Sequence, residues 1–225
     1  MMSASQLDDV SRETCRVSLF RGAESLGVAL SAENCNRLLN YLDLLLKWNR
    51  VYNLTSIRNI PDMVSLHLLD SMSVLPALDV LSKDAPVRLL DIGAGAGLPG
   101  LVLASLRPDW SVTLIDAVQK KAAFMTQAIG ELGLKNCRAV HGRVEQHTNT
   151  QKYNLIVSRA FSDISLFARL ASDQLEADGF LCAMRGKIDA NLTMPTGWEE
   201  HLFSKLVIPD VSAERHLIVL RSLKG

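Results

Sequence analysis

Residues 91–100, DIGAGAGLPG, constrain this chain most: glycines at 93, 95 and 97 sit between an apolar strand pattern and an apolar helix pattern. Glycines at such a junction let the backbone turn sharply and come close to a ligand, the arrangement on which doubly wound parallel sheets are built. The flanking sequence repeats the rhythm. VRLLDIG reads as a buried strand, followed after the glycines by a helix from about Leu98 to Leu106. SVTLIDA, CRAVHG, YNLIVSRAF and GFLCAM read as four more strands. The stretch VQKKAAFMTQAIGELG carries a helical stripe of Val118, Ala122, Met125, Ile129 and Leu132, ended by Gly133. Strands alternating with helices predict an α/β fold with parallel βαβ units. The tail differs, because HLFSKLVIP and RHLIVLRS have no helix between them and predict an antiparallel hairpin at the sheet edge. Five parallel strands closed by a hairpin are expected over residues 81–225.

Residues 1–80 read as a helical extension. One helix is expected from Leu7 to about Leu26, stopping at Gly27, and a second after the N-cap Ser31 with Glu33 in its first turn. Leu38, Leu42 and Leu45 give that second helix a wide apolar face, widened by Leu39 and Leu46. A third follows NIPDM, with Pro61 in a first-turn position.

The glycine run fits two ligand patterns. Counted from Gly95 it is G-x-G-x-x-G, the dinucleotide fingerprint of a nicotinamide oxidoreductase. Counted from Asp91 it is acid-x-G-x-G-x-G, the loop of many S-adenosylmethionine (SAM) enzymes. A pyrophosphate would meet the Asp91 carboxylate and lose a donor at Pro99, which has no N–H. SAM carries an ammonium and a sulfonium, so the same carboxylate favours it. Asp116, 19 residues beyond Gly97 at the end of a strand, can accept both ribose hydroxyls of an adenosine or cap the following helix. In HGRVE, Val144 can pack on an adenine face and Glu145 meet its amino group, or Glu145 can be a helix-start acid.

Composition excludes little but helps. Lys+Arg and Asp+Glu are 24 each, so no bulk positive charge announces a nucleic-acid binder. Cations are nevertheless local: Lys47, Arg50 and Arg58 lie in an acid-free stretch, and Lys120, Lys121, Lys135, Arg138 and Arg143 form a second group. The four cysteines, at 15, 35, 137 and 182, form no C-x-x-C pair, so no zinc or other metal site is expected and a reducing, cytoplasmic location is. No apolar run approaches the roughly 18–20 residues of a membrane helix, and MMSASQLDDV lacks the apolar core of an export signal.

After the fourth strand stands VSRAF, without the Asn/Asp-Pro-Pro-aromatic run of exocyclic-amine methyltransferases and without a cysteine nucleophile. That leaves acceptors with a ready lone pair, such as ring nitrogen 7 of guanine, for which positioning and electrostatics suffice. Arg159 in this loop can pair with the methionine carboxylate of SAM, touch guanine oxygen 6, or tie loops together.

These residues resemble the GidB (RsmG) family of bacterial SAM-dependent methyltransferases of small-subunit ribosomal RNA. The resemblance rests on KWNRVYNLTSI, HLLDS, DIGAGAGLPG, TLIDAVQKKAAFM, HGRVE, VSRAF and ERHLIVL, in order between residues 47 and 220. It implies a class I SAM-methyltransferase sheet, methylation of guanine nitrogen 7, and ribosomal RNA or a ribosomal particle as partner. A monomer without metal or membrane attachment is expected. It also implies SAM contacts at Gly93, Leu98, Val144, Glu145 and Arg159, and pocket-side or RNA-side roles for Asn53, His67 and Asp70. His67 and Asp70, three apart, are expected to share a helix face and hydrogen-bond. Lys47 and Arg50 suit phosphate contacts, and Trp48 reads as core ahead of a base-stacking platform. Arg159 and Arg185 are the candidate catalytic groups. Arg185-Gly186 stands where the family commonly has Lys-Gly, and Arg and Lys are not equivalent at a contact, so the role of Arg185 stays open. A SAM-binding protein that has lost the chemistry is the remaining alternative.

Overall fold

The computed structural model describes residues 7–82, 85–188 and 192–223, so the opening residues read above for an export signal lie partly outside the described residues. Helix α1 (Asp9–Ser25) starts at the N-cap Asp8, whose carboxylate accepts from Ser11 N–H, and ends before Gly27 at φ +68°. Helix α2 (Ala32–Tyr52) starts at Ser31, as its sequence predicts, and closes on Asn53 in the left-handed region at φ 48°. Leu38, Leu39, Leu42 and Leu45 are all buried, as expected of the wide apolar stripe.

Next comes a broken helical rod: α3 (Ile60–Met63), a π-helical stretch (Val64–Leu69), α4 (Asp70–Met72) and α5 (Leu75–Leu81). Contrary to the reading of short apolar runs, Ile60–Leu81 is long and apolar enough by length and composition to cross a membrane, with mean hydropathy 1.4. Its composition has another cause. Met63, Leu68, Met72, Val74, Leu75 and Leu78 are fully buried in the protein's own core.

Strands β1 (Arg88–Ile92), β2 (Ser111–Asp116), β3 (Cys137–His141), β4 (Tyr153–Ser158), β5 (Leu175–Arg185), β6 (Trp198–Lys205) and β7 (His216–Ser222) form one sheet in the order β3-β2-β1-β4-β5-β7-β6. The first five are parallel, and β7 runs antiparallel between β5 and β6. β5 and β6 begin earlier than their apolar cores suggest, because pairing with neighbours extends strands through polar residues. Order reverses beside β1, so a crevice opens beyond the carboxyl ends of β1 and β4.

Helices α6 (Gly100–Leu106), α7 (Gln119–Glu131) and α8 (Ile164–Ala171) cover the sheet. α6 starts two residues later than expected, since the residue before a proline is disfavoured in helix and Leu98 precedes Pro99. Val118 is a correction to the α7 stripe: it is the N-cap residue and lies exposed, whereas Ala122, Met125 and Leu132 are buried. One buried cluster unites Leu38, Tyr41 and Leu45 of α2 with Leu101 and Leu103 of α6 and Phe124 of α7. Within it the Tyr41 hydroxyl donates to the Ala96 carbonyl at 2.8 Å, tying the helical extension to the glycine turn. Tyr41→Phe leaves that carbonyl without its partner and is expected to cost about 1–2 kcal/mol in a urea melt.

Candidate functional site

Asp91 and Asp116 shape the glycine turn from beneath. Asp91 ends β1 fully buried, and its Oδ2 accepts the Gly100 N–H at 2.8 Å, so a carboxylate already occupies the start of α6. Its Oδ1 is buried with no hydrogen-bond partner among the described residues, and burial pushes the carboxyl up to about 7. Asp91, expected from the sequence to favour a cationic ligand nearby, thus lies beneath the turn and not on its surface. Asp116 Oδ2 accepts from Gly95 N–H at 3.0 Å and Oδ1 from Val118 N–H at 2.9 Å, while Lys121 Nζ stands 3.7 Å away. It thus holds the turn and starts α7, with lone pairs left for ribose hydroxyls.

The turn itself decides between the two ligand classes. Gly93 and Ala94 N–H donate to Ile115 O, Gly97 and Leu98 N–H to Ala94 O, Gly95 to Asp116 and Gly100 to Asp91. Pro99 has no N–H. A pyrophosphate cradle needs several free N–H groups, and this turn has spent those of Gly93, Ala94, Gly95, Gly97, Leu98 and Gly100 on internal acceptors. A cation meets no such obstacle: two buried carboxylates and one orphaned oxygen lie below. The donor set fits SAM. Gly95, at φ +63°, is the turn residue whose added Cβ would meet only Gly93 O, in ordinary contact at 3.9 Å. A Cβ on Gly93 would instead strike that of Ala160 at 2.8 Å, which brings the loop after β4 against the turn. Leu98 is buried beside it, and Val144 is buried in the cluster with Ile92 and Ile115. Glu145 is exposed in a single 3-10 turn.

Next to this turn lies a cleft of about 440 Å³ lined by Thr55, His67, Asp70, Arg159, Arg185, Arg215 and their neighbours. Asp70 organises it. Its Oδ2 accepts from Arg159 Nη1 at 2.6 Å and its Oδ1 from Arg215 Nε at 3.0 Å, with Asp70 buried and both arginines about a quarter exposed. The expected His67–Asp70 bond does not form. The π-helical stretch changes the angular spacing so that positions three apart no longer stack, and two guanidiniums outcompete a neutral imidazole for the carboxylate. His67 Nδ1 instead lies 3.1 Å from Leu66 O and Nε2 3.0 Å from Thr55 Oγ1. A neutral ring with its proton on Nδ1 satisfies both, and burial pushes this histidine down to about 4.

The distinctive WNRVYNLT stretch builds the wall opposite. Asn49 Oδ1 accepts from Thr55 N–H at 2.9 Å, which folds the chain so that Thr55 reaches His67. Asn53 caps α2 and accepts from Arg58 Nη2 at 2.9 Å, outside the cleft lining. Trp48 packs on Phe124 and Tyr52 and donates to Gln127 Oε1 at 3.1 Å, as a core residue does. Lys47 and Arg50 are exposed on α2 without an ion-pair partner among the described residues. The second basic group is dispersed: Lys121 serves Asp116, and Arg138 Nε donates to Thr113 Oγ1 at 3.0 Å.

Sequence reasoning overlooked Asn49, Thr55, Arg215 and His216 as site residues. ERHLIVL carried the last two, read only as a strand pattern and as part of the resemblance. The cysteines stay out of the chemistry: all four are buried, and burial pushes Cys182 in β5 up to about 12. Among the described residues no group of three or more His, Cys, Asp or Glu is placed to hold a metal ion.

Comparison with known proteins gives the family and the fold. The family described as GidB, rRNA small subunit methyltransferase G, matches residues 34–218. Ribosomal RNA small subunit methyltransferase G of Methylobacillus flagellatus is 47% identical over 90% of this chain and 96% of its own. The protein of the same name from Burkholderia multivorans is 46% identical over 96% of both. A SAM-dependent methyltransferase from Geobacter sulfurreducens, solved with S-adenosyl-L-homocysteine, shares the fold at a TM-score of 0.51 and 13% identity, over 80% of this chain and 97% of that one.

Proposed function

Because the chain belongs to the GidB family, rRNA small subunit methyltransferase G, we propose that it transfers a methyl group to ring nitrogen 7 of a guanine in small-subunit ribosomal RNA. The observation that carries the cofactor half is the glycine turn, most of whose N–H groups are internally spent above two buried carboxylates. SAM, when bound, supplies the methyl group as an electrophile. Asp91 and Asp116 balance its charge, Asp116 meets its ribose, and Leu98, Val144 and Glu145 border the remainder. Gly93, Gly95 and Gly97 let the backbone come close.

The acceptor nitrogen carries its own lone pair, so no base is required and the cleft works by positioning. Arg159 stands where turn and cleft meet, held by Asp70, and orients the base at the methyl donor. An intact Asp70–Arg159 pair supports turnover over mere SAM binding. The helical extension supplies Thr55, Leu66, His67 and Asp70 to this cleft, with Lys47 and Arg50 receiving flanking RNA phosphates. We take the protein to act as a cytoplasmic monomer on ribosomal RNA or an assembling particle, apart from membranes.

Incubation with labelled SAM and ribosomal RNA or small-subunit particles from cells lacking this protein is expected to label one guanine. Mapping of the label to an exocyclic amine or a ring carbon would overturn the assignment.

A further inference from the structure

The charge of the cleft exceeds what its own residues balance. Arg159, Arg185 and Arg215 line it, and Asp70 is the acidic side chain among the lining residues. Both Asp70 oxygens are already engaged by Arg159 and Arg215. Arg185, half-buried at the end of β5, has no side-chain partner among the described residues. The reaction moves charge toward this wall. The sulfonium of SAM becomes a neutral thioether as the methylated base becomes the cation, so the net charge of the site is unchanged but now lies on the base, beside the guanidiniums. An anion entering with the base offsets that shift.

We propose that the cleft is a phosphate subsite in which Arg185 and Arg215 hold the phosphodiester group attached to the nucleotide being methylated. This rests on the reading of the protein as a guanine-nitrogen-7 methyltransferase and adds the second ligand of the same site. A guanidinium fork suits phosphate geometry, and Arg215 is pre-set by its Nε bond to Asp70 at 3.0 Å, with its Nη1 on Glu214 O at 2.9 Å. Gly186 follows Arg185 in the lining, and a Cβ there would stand 4.0 Å from Arg215 Nη1 and 3.8 Å from Glu214 O, so the backbone after Arg185 passes beside the Arg215 guanidinium and brings the two arginines to one corner. His216 fixes that corner, its Nδ1 lying 2.8 Å from Gly186 O. A volume of about 440 Å³ accommodates a nucleotide rather than a bare base. The target's own phosphate then offsets the guanidinium charge beside the base, to which the positive charge of the sulfonium moves in the transfer.

The test compares the SAM-bound full chain with its Arg185→Ala and Arg185→Lys variants. Titration with 5′-GMP, guanosine and inorganic phosphate is followed by NMR, and KM for small-subunit particles is measured against salt. Expected are 5′-GMP binding at least about tenfold tighter than guanosine and competition by inorganic phosphate. Arg185→Ala should lose that preference and lower the slope of log KM against log salt by about one, with SAM affinity unchanged, while Arg185→Lys keeps the slope. A slope unaltered in Arg185→Ala, or guanosine binding as well as 5′-GMP, including no binding of either, overturns the subsite. If those results come with guanine nitrogen 7 still methylated by the unaltered protein, only the subsite fails. Methylation of another atom removes the parent reading.

Discussion

Arg159→Ala is expected to slow methyl transfer about a hundredfold or more at saturating SAM, in a chain that still folds. Arg159 bridges two parts of the site: its neighbour Ala160 lies against Gly93 of the turn, while its guanidinium is drawn into the cleft by Asp70 at 2.6 Å. Losing that bridge misplaces the base relative to the donor, and misplacement of about 1 Å costs on the order of a hundredfold. The fold survives because Asp70 keeps Arg215, so its buried carboxylate is not left alone. Single-turnover rates at saturating SAM, beside calorimetric SAM affinity, separate the two roles open to this arginine. A loss confined to SAM affinity assigns it to the methionine carboxylate. A loss of rate assigns it to the base. Near-normal values of both would remove it from the site.

SAM affinity of the unaltered protein is expected to weaken up to tenfold per pH unit below about 7, with a proton released on binding. The cause is Asp91, which burial pushes up to about 7, so that a cation can bind well only once this carboxyl ionises. Asp91→Asn keeps an acceptor for Gly100 N–H but no charge, and should bind SAM with a flat pH profile and reduced affinity above pH 7. An equal pH slope in both proteins would show that Asp91 does not sense the ligand. The same carboxyl affects stability with a definite sign. Its folded value lies above the ordinary 3.8, so its contribution is full below about 4 and is lost as pH rises through about 7. His67 opposes it: held near 4 against an ordinary 6.5, it contributes above about 6.5 and loses that contribution as pH falls toward about 4. His67→Gln should therefore expose the falling slope of Asp91 in urea melts between those limits.

Local sequence carried the sheet well, because buried parallel strands read as short apolar runs and glycines mark the turns between them. The cap at Ser31 acts within a few residues of itself and was legible, whereas the caps at Asp8 and Asn53 emerge only in the structure. The cleft was legible only in pieces. Asp70 meets Arg159 across 89 residues and Arg215 across 145, and no local pattern reports a partner that distant. The π-helical stretch escaped for another reason: its sequence, VSLHLL, is compatible with an ordinary helix, and the extra residue per turn is set by tertiary contacts. That one irregularity reversed the expected pairing of His67 and Asp70.

Since a single carboxylate on the broken rod grips both the loop after β4 and the approach to β7, unwinding of that rod would free two arginines in one event. Occupancy of the arginine wall and docking of the amino-terminal helices are then thermodynamically linked. A phosphorylated ligand should slow protease cleavage within α1 and α2, far from where it sits, in proportion to its saturation of the protein.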